Sequence, residues 1–170
     1  LLGAAVAAKL WPLVVVPPKG LLRFKEATSS LHELVDGSFR PVLDDARDDK
    51  GVVRRLVLCS GKVYYDLKGH EAYVEGGPVA IARIEQLYPF PSEAVAALIA
   101  SYPALDEVVW AQEEPQNMGP WRSIRHRLEE ACAGRPLRYI GRTWRASPSE
   151  GYPTAHLIEQ DRIARTALTV

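Results

Sequence analysis

The chain has 170 residues, 47% hydrophobic and 25% charged, enough to bury the core of one ordinary domain without disulfide or metal staples. Lysine plus arginine and aspartate plus glutamate both total 21, so the basic excess expected of a nucleic-acid-binding domain is missing. Two cysteines, Cys59 and Cys132, and four scattered histidines give neither a disulfide framework nor metal-ligand spacing, and they fit a reducing compartment.

The opening stretch, LLGAAVAAKLWPLVVV, is apolar. Lys9 and Pro12 interrupt it well short of the ~20 residues that span a bilayer, and it lacks the basic start of a signal peptide. With no initiating Met, it reads as part of a longer polypeptide. Residues 1–10 read as the tail of a helix ended by Pro12. Leu13 to Val16 reads as a fully apolar strand, and Pro17-Pro18 ends it. Lys19 to Glu26 gives a turn of helix. Residues 27–51 read as an irregular excursion whose acidic run, Asp44, Asp45, Asp48 and Asp49, is a solvated loop. Val52 to Cys59 is the second strand. Ser60 is placed to cap a helix over 62–73, with Gly61 allowing a tight turn. Gly76-Gly77-Pro78 turns the chain into a third strand, Val79 to Ile84. Pro89 and Pro91 stiffen the next loop, and Ser92 caps a helix over 93–101. Leu105 to Ala111 is the fourth strand. A helix over 120–132, ended by Gly134, leads to a fifth strand, Leu137 to Ile140. After a loop, a helix over 153–168 carries Leu157, Ile158, Ile163, Ala164 and Leu168 on its apolar side. Strands and helices alternate every 25 to 30 residues, roughly, which predicts an α/β fold. Three layers are expected: a mostly parallel sheet of about five strands with helices on both faces.

Two loops carry the chemistry. In Cys59-Ser60-Gly61-Lys62, backbone N–H groups, a helix dipole and an ammonium suit an anion or a phosphate. Neither G-x-x-x-x-G-K-[ST] nor GxGxxG is present, and an ordinary capped helix with an exposed lysine is the plainer alternative. The stretch WAQEEPQNMGPW, Trp110 to Trp121, reads as a strand end running through a polar loop into a helix, where ligands of α/β sheets sit. Gln112 there either reads a ligand or satisfies backbone groups. Glu113 and Glu114 point different ways on extended chain, so they suit ion pairs at an interface better than a general-base pair. Arg138, Arg142 and Arg145 bracket a strand end and could hold a phosphate or carboxylate bidentately, or stay as surface charges. Arg122, Arg125, His126 and Arg127 form a local basic cluster. Trp11, Trp110 and Trp121 suit core or interface positions. Ser60 has no spaced histidine and acid to make it a nucleophile. Spacing alone identifies no reaction.

The segments PLVVVPPKGLLR (12–23), FRPVL (39–43), CSGKVYYDL (59–67), VAIARIEQLYPFP (79–91), WAQEEPQNMGPW (110–121) and RYIGRTWRASPSEGY (138–152) carry a resemblance. From about residue 10 onward the chain resembles the C-terminal domain of the thiamine-diphosphate-dependent 2-oxoglutarate dehydrogenase, the decarboxylating component of its complex. The 2-oxoadipate dehydrogenase is closely similar, and EEPQNMGPW leans its way. The resemblance implies a single transketolase-type C-terminal domain over 1–170, with 1–10 a linker or helix tail, at the end of a larger enzyme. Thiamine diphosphate and Mg²⁺ would be bound by earlier domains, and this chain would hold no catalytic residue and no metal and be inert alone. The full enzyme would decarboxylate the 2-oxo acid and pass succinyl to a lipoyl arm of the succinyltransferase core. This domain would supply homodimer contacts and pack on the pyrimidine-binding domain, with Glu113, Glu114 and Trp121 at interfaces and an exposed apolar face that includes 1–10 and Trp121.

Actinobacterial relatives carry an acetyl-CoA effector site, which maps here to Lys19, Ser60, Lys62, Gln112 and Arg142. Several positions depart from the pattern. Pro17-Pro18-Lys19-Gly20 stands for T/S-P-K-S, and Asn117-Met118-Gly119 for N-Q-G. Thr143-Trp144-Arg145-Ala146-Ser147-Pro148 stands for P-A-S-A-S-P, and Thr143 replaces a second arginine. The alternative reading is a stand-alone module that binds a nucleotide or coenzyme A, or scaffolds an assembly. The expected compartment is the mitochondrial matrix or the bacterial cytoplasm.

Overall fold

A computed structural model describes residues 14–170. The chain divides into two compact units, Leu1–Arg40 and Pro41–Val170. Trp11, the expected helix tail over 1–10 and Leu13 lie outside the described residues.

The first unit holds 3-10 turns at Lys19–Arg23 and Lys25–Ala27 and a short helix, α1, at Leu31–Asp36. The sequence Ser30-Leu31-His32-Glu33 closes a capping box. Ser30 Oγ accepts from the Glu33 N–H at 3.2 Å, and the Glu33 carboxylate accepts from the Ser30 N–H at 2.9 Å. Those bonds hold the Glu33 carboxyl below its ordinary pKa. The excursion is therefore not wholly irregular. Val14, Val15 and Val16 are exposed and lie in no strand, and among the described residues of this unit there is no strand for the run to pair with.

The second unit is a five-stranded sheet in the order β1-β3-β2-β4-β5. The strands are β1 Val42–Leu43, β2 Arg55–Cys59, β3 Val79–Ile84, β4 Glu107–Pro115 and β5 Leu137–Arg142. The last four run parallel, and β1 pairs antiparallel with β3, Val42 opposite Ile84. The fifth strand thus comes from the acidic excursion and not from residues 14–16. Four helices follow: α2 Val63–Lys68, α3 Ser92–Ala100, α4 Trp121–Ala131 and α5 Pro153–Leu168.

Alternation along the strands sorts the core into two halves. Leu56, Leu58, Val108 and Trp110 pack on one face with Val95 and Ile99 of α3 and Ile124 and Leu128 of α4. Val57, Cys59, Val109 and Ala111 pack on the other with Val63 and Leu67 of α2 and Ile163, Ala164 and Leu168 of α5. The result is the expected three layers.

Several boundaries differ from expectation. α2 stops at Lys68, where the Gly69 N–H bonds back to the Tyr65 carbonyl at 2.9 Å. Ser60 does not cap α2; Lys62 occupies the cap position after Gly61, whose φ is +72°. Ser92 begins α3 instead of capping it. β4 runs on to Pro115, four residues past the expected end. The acidic run is not all solvated loop either. Asp45 is buried, and its carboxylate accepts from Lys68 Nζ at 3.0 Å and from the Tyr73 hydroxyl and the Ile81 N–H at 3.3 Å. Buried Arg55 grips Glu107 and donates to carbonyls at the end of α5, those of Thr166 and Ala167, and to that of Thr169 just beyond it. Among the described residues no helix is long and apolar enough to cross a membrane.

Connectivity fixes where a site would form. From β2 the chain passes through α2 to β3 on one side, then through α3 to β4 on the other side of β2. The winding reverses between the C-terminal ends of β2 and β4, the position at which open α/β sheets leave a crevice.

Candidate functional site

Both loops singled out from the sequence meet at that reversal. Lys62 follows β2, Glu113 lies in β4, and Lys62 Nζ stands 3.3 Å from the Glu113 carboxylate while also donating to Asp66 one turn on. Gln160 of α5 closes the ring: its amide N–H₂ donates to Glu113 at 2.7 Å and to Asp66 at 3.1 Å. The opposite amide oxygen, Gln160 Oε1, is buried without a partner. Burial opposes the charge on Lys62, but the bond to Asp66 and the field of Glu113 outweigh it and hold its pKa above the ordinary lysine value.

The turn therefore presents no free ammonium. One ammonium is shared by two carboxylates, so a phosphate at Lys62 would first have to displace them. Nor is Lys62 a free surface lysine.

Arg142 is equally committed. It is 2% exposed, donates to Glu150 at 3.1 Å and to the Glu113 carbonyl, and stands 3.2 Å from His156 Nδ1. Arg145 also binds Glu150. Arg138 lies at the start of β5 and pairs with Glu107, away from the reversal.

Gln112, 3% exposed, serves five groups. Its oxygen accepts from Trp110 Nε1 at 2.8 Å and from the Trp121 N–H at 3.2 Å. Its nitrogen donates to the carbonyls of Glu114, Pro115 and Met118 at 3.2, 3.2 and 2.9 Å. It is the peg of the loop between β4 and α4. Ser60 is half-buried at the end of β2 and takes no part in the ring. Lys19 is exposed in the first unit. Glu114 is exposed, and its carbonyl accepts from the Tyr139 hydroxyl at 2.9 Å. Trp121 is 6% exposed, with its ring centroid 5.3 Å from that of Tyr139, so the expected exposed apolar face does not include it.

Between α2 and α5 a cleft of about 460 Å³ opens beside the ring, and Tyr65, Leu157, Gln160 and Ala164 are among the residues that line it. His70 reaches Asp161 across it at 3.1 Å. Bonds from His70 and Arg165 hold the Asp161 carboxyl below its ordinary pKa. Sequence reasoning missed Asp66, His156, Gln160 and Asp161. The available signal was polar residues one turn apart, at 156 and 160, on a helix that was read for its apolar side alone.

Among the described residues no three His, Cys, Asp or Glu side chains are grouped to hold a metal ion. With Lys62 already neutralised, the edge does not fit a diphosphate and its Mg²⁺. Burial pushes the Cys132 thiol up to about 11 and raises Cys59 further, so neither is a thiolate nucleophile near neutral pH.

Comparison with known proteins adds the family. The model for "2-oxoglutarate dehydrogenase C-terminal" matches residues 28–168. The 2-oxoglutarate dehydrogenase E1 component of Azotobacter vinelandii is 46% identical over 165 residues, covering 94% of this chain and 17% of that protein. Those of Bacillus subtilis strain 168 and Cupriavidus necator are 48% and 44% identical, over 93% and 92% of this chain. The chain spans 17% of the length of each of these relatives.

Proposed function

The chain belongs to the 2-oxoglutarate dehydrogenase C-terminal family, and from that premise we propose that it is the C-terminal part of an enzyme that oxidatively decarboxylates 2-oxoglutarate. The observation that carries this reading is identity of 44 to 48% along nearly the whole chain to proteins of that name. It also favours 2-oxoglutarate over 2-oxoadipate. In the full enzyme, domains outside this chain bind thiamine diphosphate and Mg²⁺, and the succinyl group passes to a lipoyl arm of the succinyltransferase core. The enzyme is a homodimer in the bacterial cytoplasm or the mitochondrial matrix. This chain is non-catalytic.

In this reading Lys62, Gln112 and Arg142 tie strand ends to loops and to α5, and Glu113 joins them, so the edge is a rigid mount within the larger protein. The effector assignment implied by resemblance needs an anion to take Lys62 from Asp66 and Glu113. Titration of the intact enzyme with acetyl-CoA or ADP, repeated with Lys62→Ala, separates the two. Binding that weakens about tenfold or more in the variant makes the edge an effector site instead. The main reading is tested by intact mass and activity. The expected result is a polypeptide of about a thousand residues, since 165 residues make up 17% of a relative, turning over 2-oxoglutarate faster than 2-oxoadipate. A free species of 18.8 kDa with no thiamine-dependent partner would overturn it.

A further inference from the structure

A second cleft, of about 270 Å³, is lined by Gln116, Trp121, Arg122 and Arg125 and by Trp144 of the loop after β5. Trp144 is 66% exposed. Its backbone is nonetheless held. The Asn117 side-chain amide donates to the carbonyl of the next residue, Arg145, at 2.9 Å and accepts from the Arg145 N–H at 3.1 Å. The Arg145 guanidinium binds Glu150 in turn. Arg122 Cζ lies 5.9 Å from the centre of the Trp144 ring, and Arg125 Cζ lies 5.8 Å from that of Trp121, both within cation–π reach. An exposed indole and two guanidinium groups thus stand in a fixed arrangement before anything binds, which lowers the entropy cost of binding.

The charges of α4 do not serve the helix itself. Arg122, Arg125 and Arg127 occupy its first two turns and Glu129 and Glu130 its last, the reverse of what the helix dipole favours. Arg125 has Glu129 one turn on, but among the described residues no carboxylate pairs with Arg122. A carboxylate fits such a place, because a guanidinium grips it through two parallel N–H groups. An apolar group beside that carboxylate would stack on Trp144. The space is smaller than the roughly 300–1,000 Å³ of sites that enclose small molecules, which favours a side chain carried on a protein. Trp and Arg are also the residue types that dominate protein–protein contacts. A nucleic acid suits the cleft less well. Basic and acidic residues balance at 21 each, and the last turn of α4 would set two carboxylates near a phosphate backbone.

We propose that this cleft docks an acidic segment of a partner protein, with a carboxylate at Arg122 and Arg125 and a neighbouring apolar side chain on the Trp144 indole. The site goes beyond the enzyme reading above and stands whatever reaction the longer protein performs.

The probe is a pentapeptide blocked at both ends, Glu-Glu-Phe-Glu-Glu, titrated into the intact protein by isothermal calorimetry at low salt. A Kd of about 0.1 mM is expected, weakened about tenfold by Arg122→Ala and about tenfold by Trp144→Ala. Added salt should weaken it further. Arg127→Ala is the control, since it removes the same charge from the same helix outside the cleft, and it should change Kd less than about twofold. Arg122, Arg127 and Trp144 are all exposed, so each variant should fold, and circular dichroism spectra that overlay wild type verify it. No binding up to about 1 mM peptide overturns the proposal. So does an equal loss in Arg122→Ala and Arg127→Ala, which marks diffuse attraction to a basic surface, or binding that Trp144→Ala leaves unchanged. Two competitors distinguish other occupants. Benzoate that displaces the peptide at equal concentration hands the cleft to a small free acid, and oligothymidylate that displaces it at lower concentration hands the cleft to nucleic acid. Either result overturns the assignment to a protein partner.

Discussion

Replacing Gln112 by alanine removes one amide that five groups use. The Glu114 carbonyl keeps the Tyr139 hydroxyl, and the Pro115 carbonyl keeps the Met118 N–H at 2.8 Å. The Trp110 indole N–H, the Trp121 amide and the Met118 carbonyl lose the bonds that Gln112 gave them. Met118 is half-exposed, so water can replace that bond, but Trp110 is fully buried and Trp121 nearly so. Two orphaned N–H groups at about 1–3 kcal/mol each predict a loss of about 2–6 kcal/mol. That is a large share of the roughly 5–15 kcal/mol that holds a domain together, and at about 2–4 °C per kcal/mol it lowers Tm by about 10 °C near mid-range. Urea denaturation of the 170-residue chain, followed by circular dichroism, measures it. Gln112→Glu sharpens the test. One carboxylate oxygen would keep both N–H groups, while the other would face the three carbonyls now served by N–H₂. The folded state therefore resists ionisation and raises that carboxyl above its unfolded value of about 4.3. A raised folded pKa means that stability is retained below the unfolded pKa and lost as pH rises through the folded one. The gap between variant and wild type should accordingly widen from pH 4 to pH 7, by about 1.4 kcal/mol for every tenfold by which folding weakens the acid. A cost below about 0.5 kcal/mol for Gln112→Ala, or a gap indifferent to pH for Gln112→Glu, would mean that the amide is not committed to the loop.

Three further outcomes follow from the same edge and core. Arg142→Ala should cost about 3–5 kcal/mol, and Arg142→Lys should fall short of wild type too, because one ammonium cannot reach Glu150, the Glu113 carbonyl and His156 together; urea curves for Arg142→Lys that overlay wild type refute the fork. A Cβ on Gly141 would lie 2.8 Å from the Gln112 carbonyl, so Gly141→Ala should cost about 1–3 kcal/mol, and an unchanged Tm would show that the backbone there gives way. Cys132 ionises in the unfolded chain near 8.5 and in the folded chain only at about 11, so stability is full below pH ~8.5 and declines from there toward 11. Cys132→Ala should flatten that decline in urea curves taken across the range, and rapid reaction of native Cys132 with a thiol reagent at pH 8 would contradict its burial.

Much of the sheet was legible because its central strands carry apolar runs bounded by turns. VAIARI marks β3 residue for residue, and Pro153 marks the start of α5. The edge strand was not legible. β1 is two residues long, held by pairing with β3 forty residues on, and no periodicity fits in two residues. The louder signal, Val14 to Val16, led elsewhere because composition records apolarity and not the presence of a pairing partner. α1 was legible and missed: Ser30 and Glu33 are a capping box in the sequence itself. β4 outran its expected end because Pro115 sits at a register shift against β5, where a missing N–H is tolerated. At the edge, Lys62 and Gln112 stood out from the loop pattern, but the carboxylates that neutralise Lys62 lie one turn along α2 and in β4, and the amide that bridges them lies on α5. Only the fold brings those together, into a ring of one ammonium, two carboxylates and an amide.

The order of strands also bears on how the protein is made. β2 sits between β3 and β4 and is buried along its whole length, yet it is synthesised before either neighbour. At 5–20 residues per second, the roughly fifty residues from the end of β2 to the start of β4 take about 2–10 s to leave the ribosome. For that interval β2 is an apolar ribbon with at least one open edge, a ready template for strands of other nascent chains. Slow translation through α3 would prolong that exposure, and a chaperone that covers such segments would be expected to engage this region before any other part of the domain.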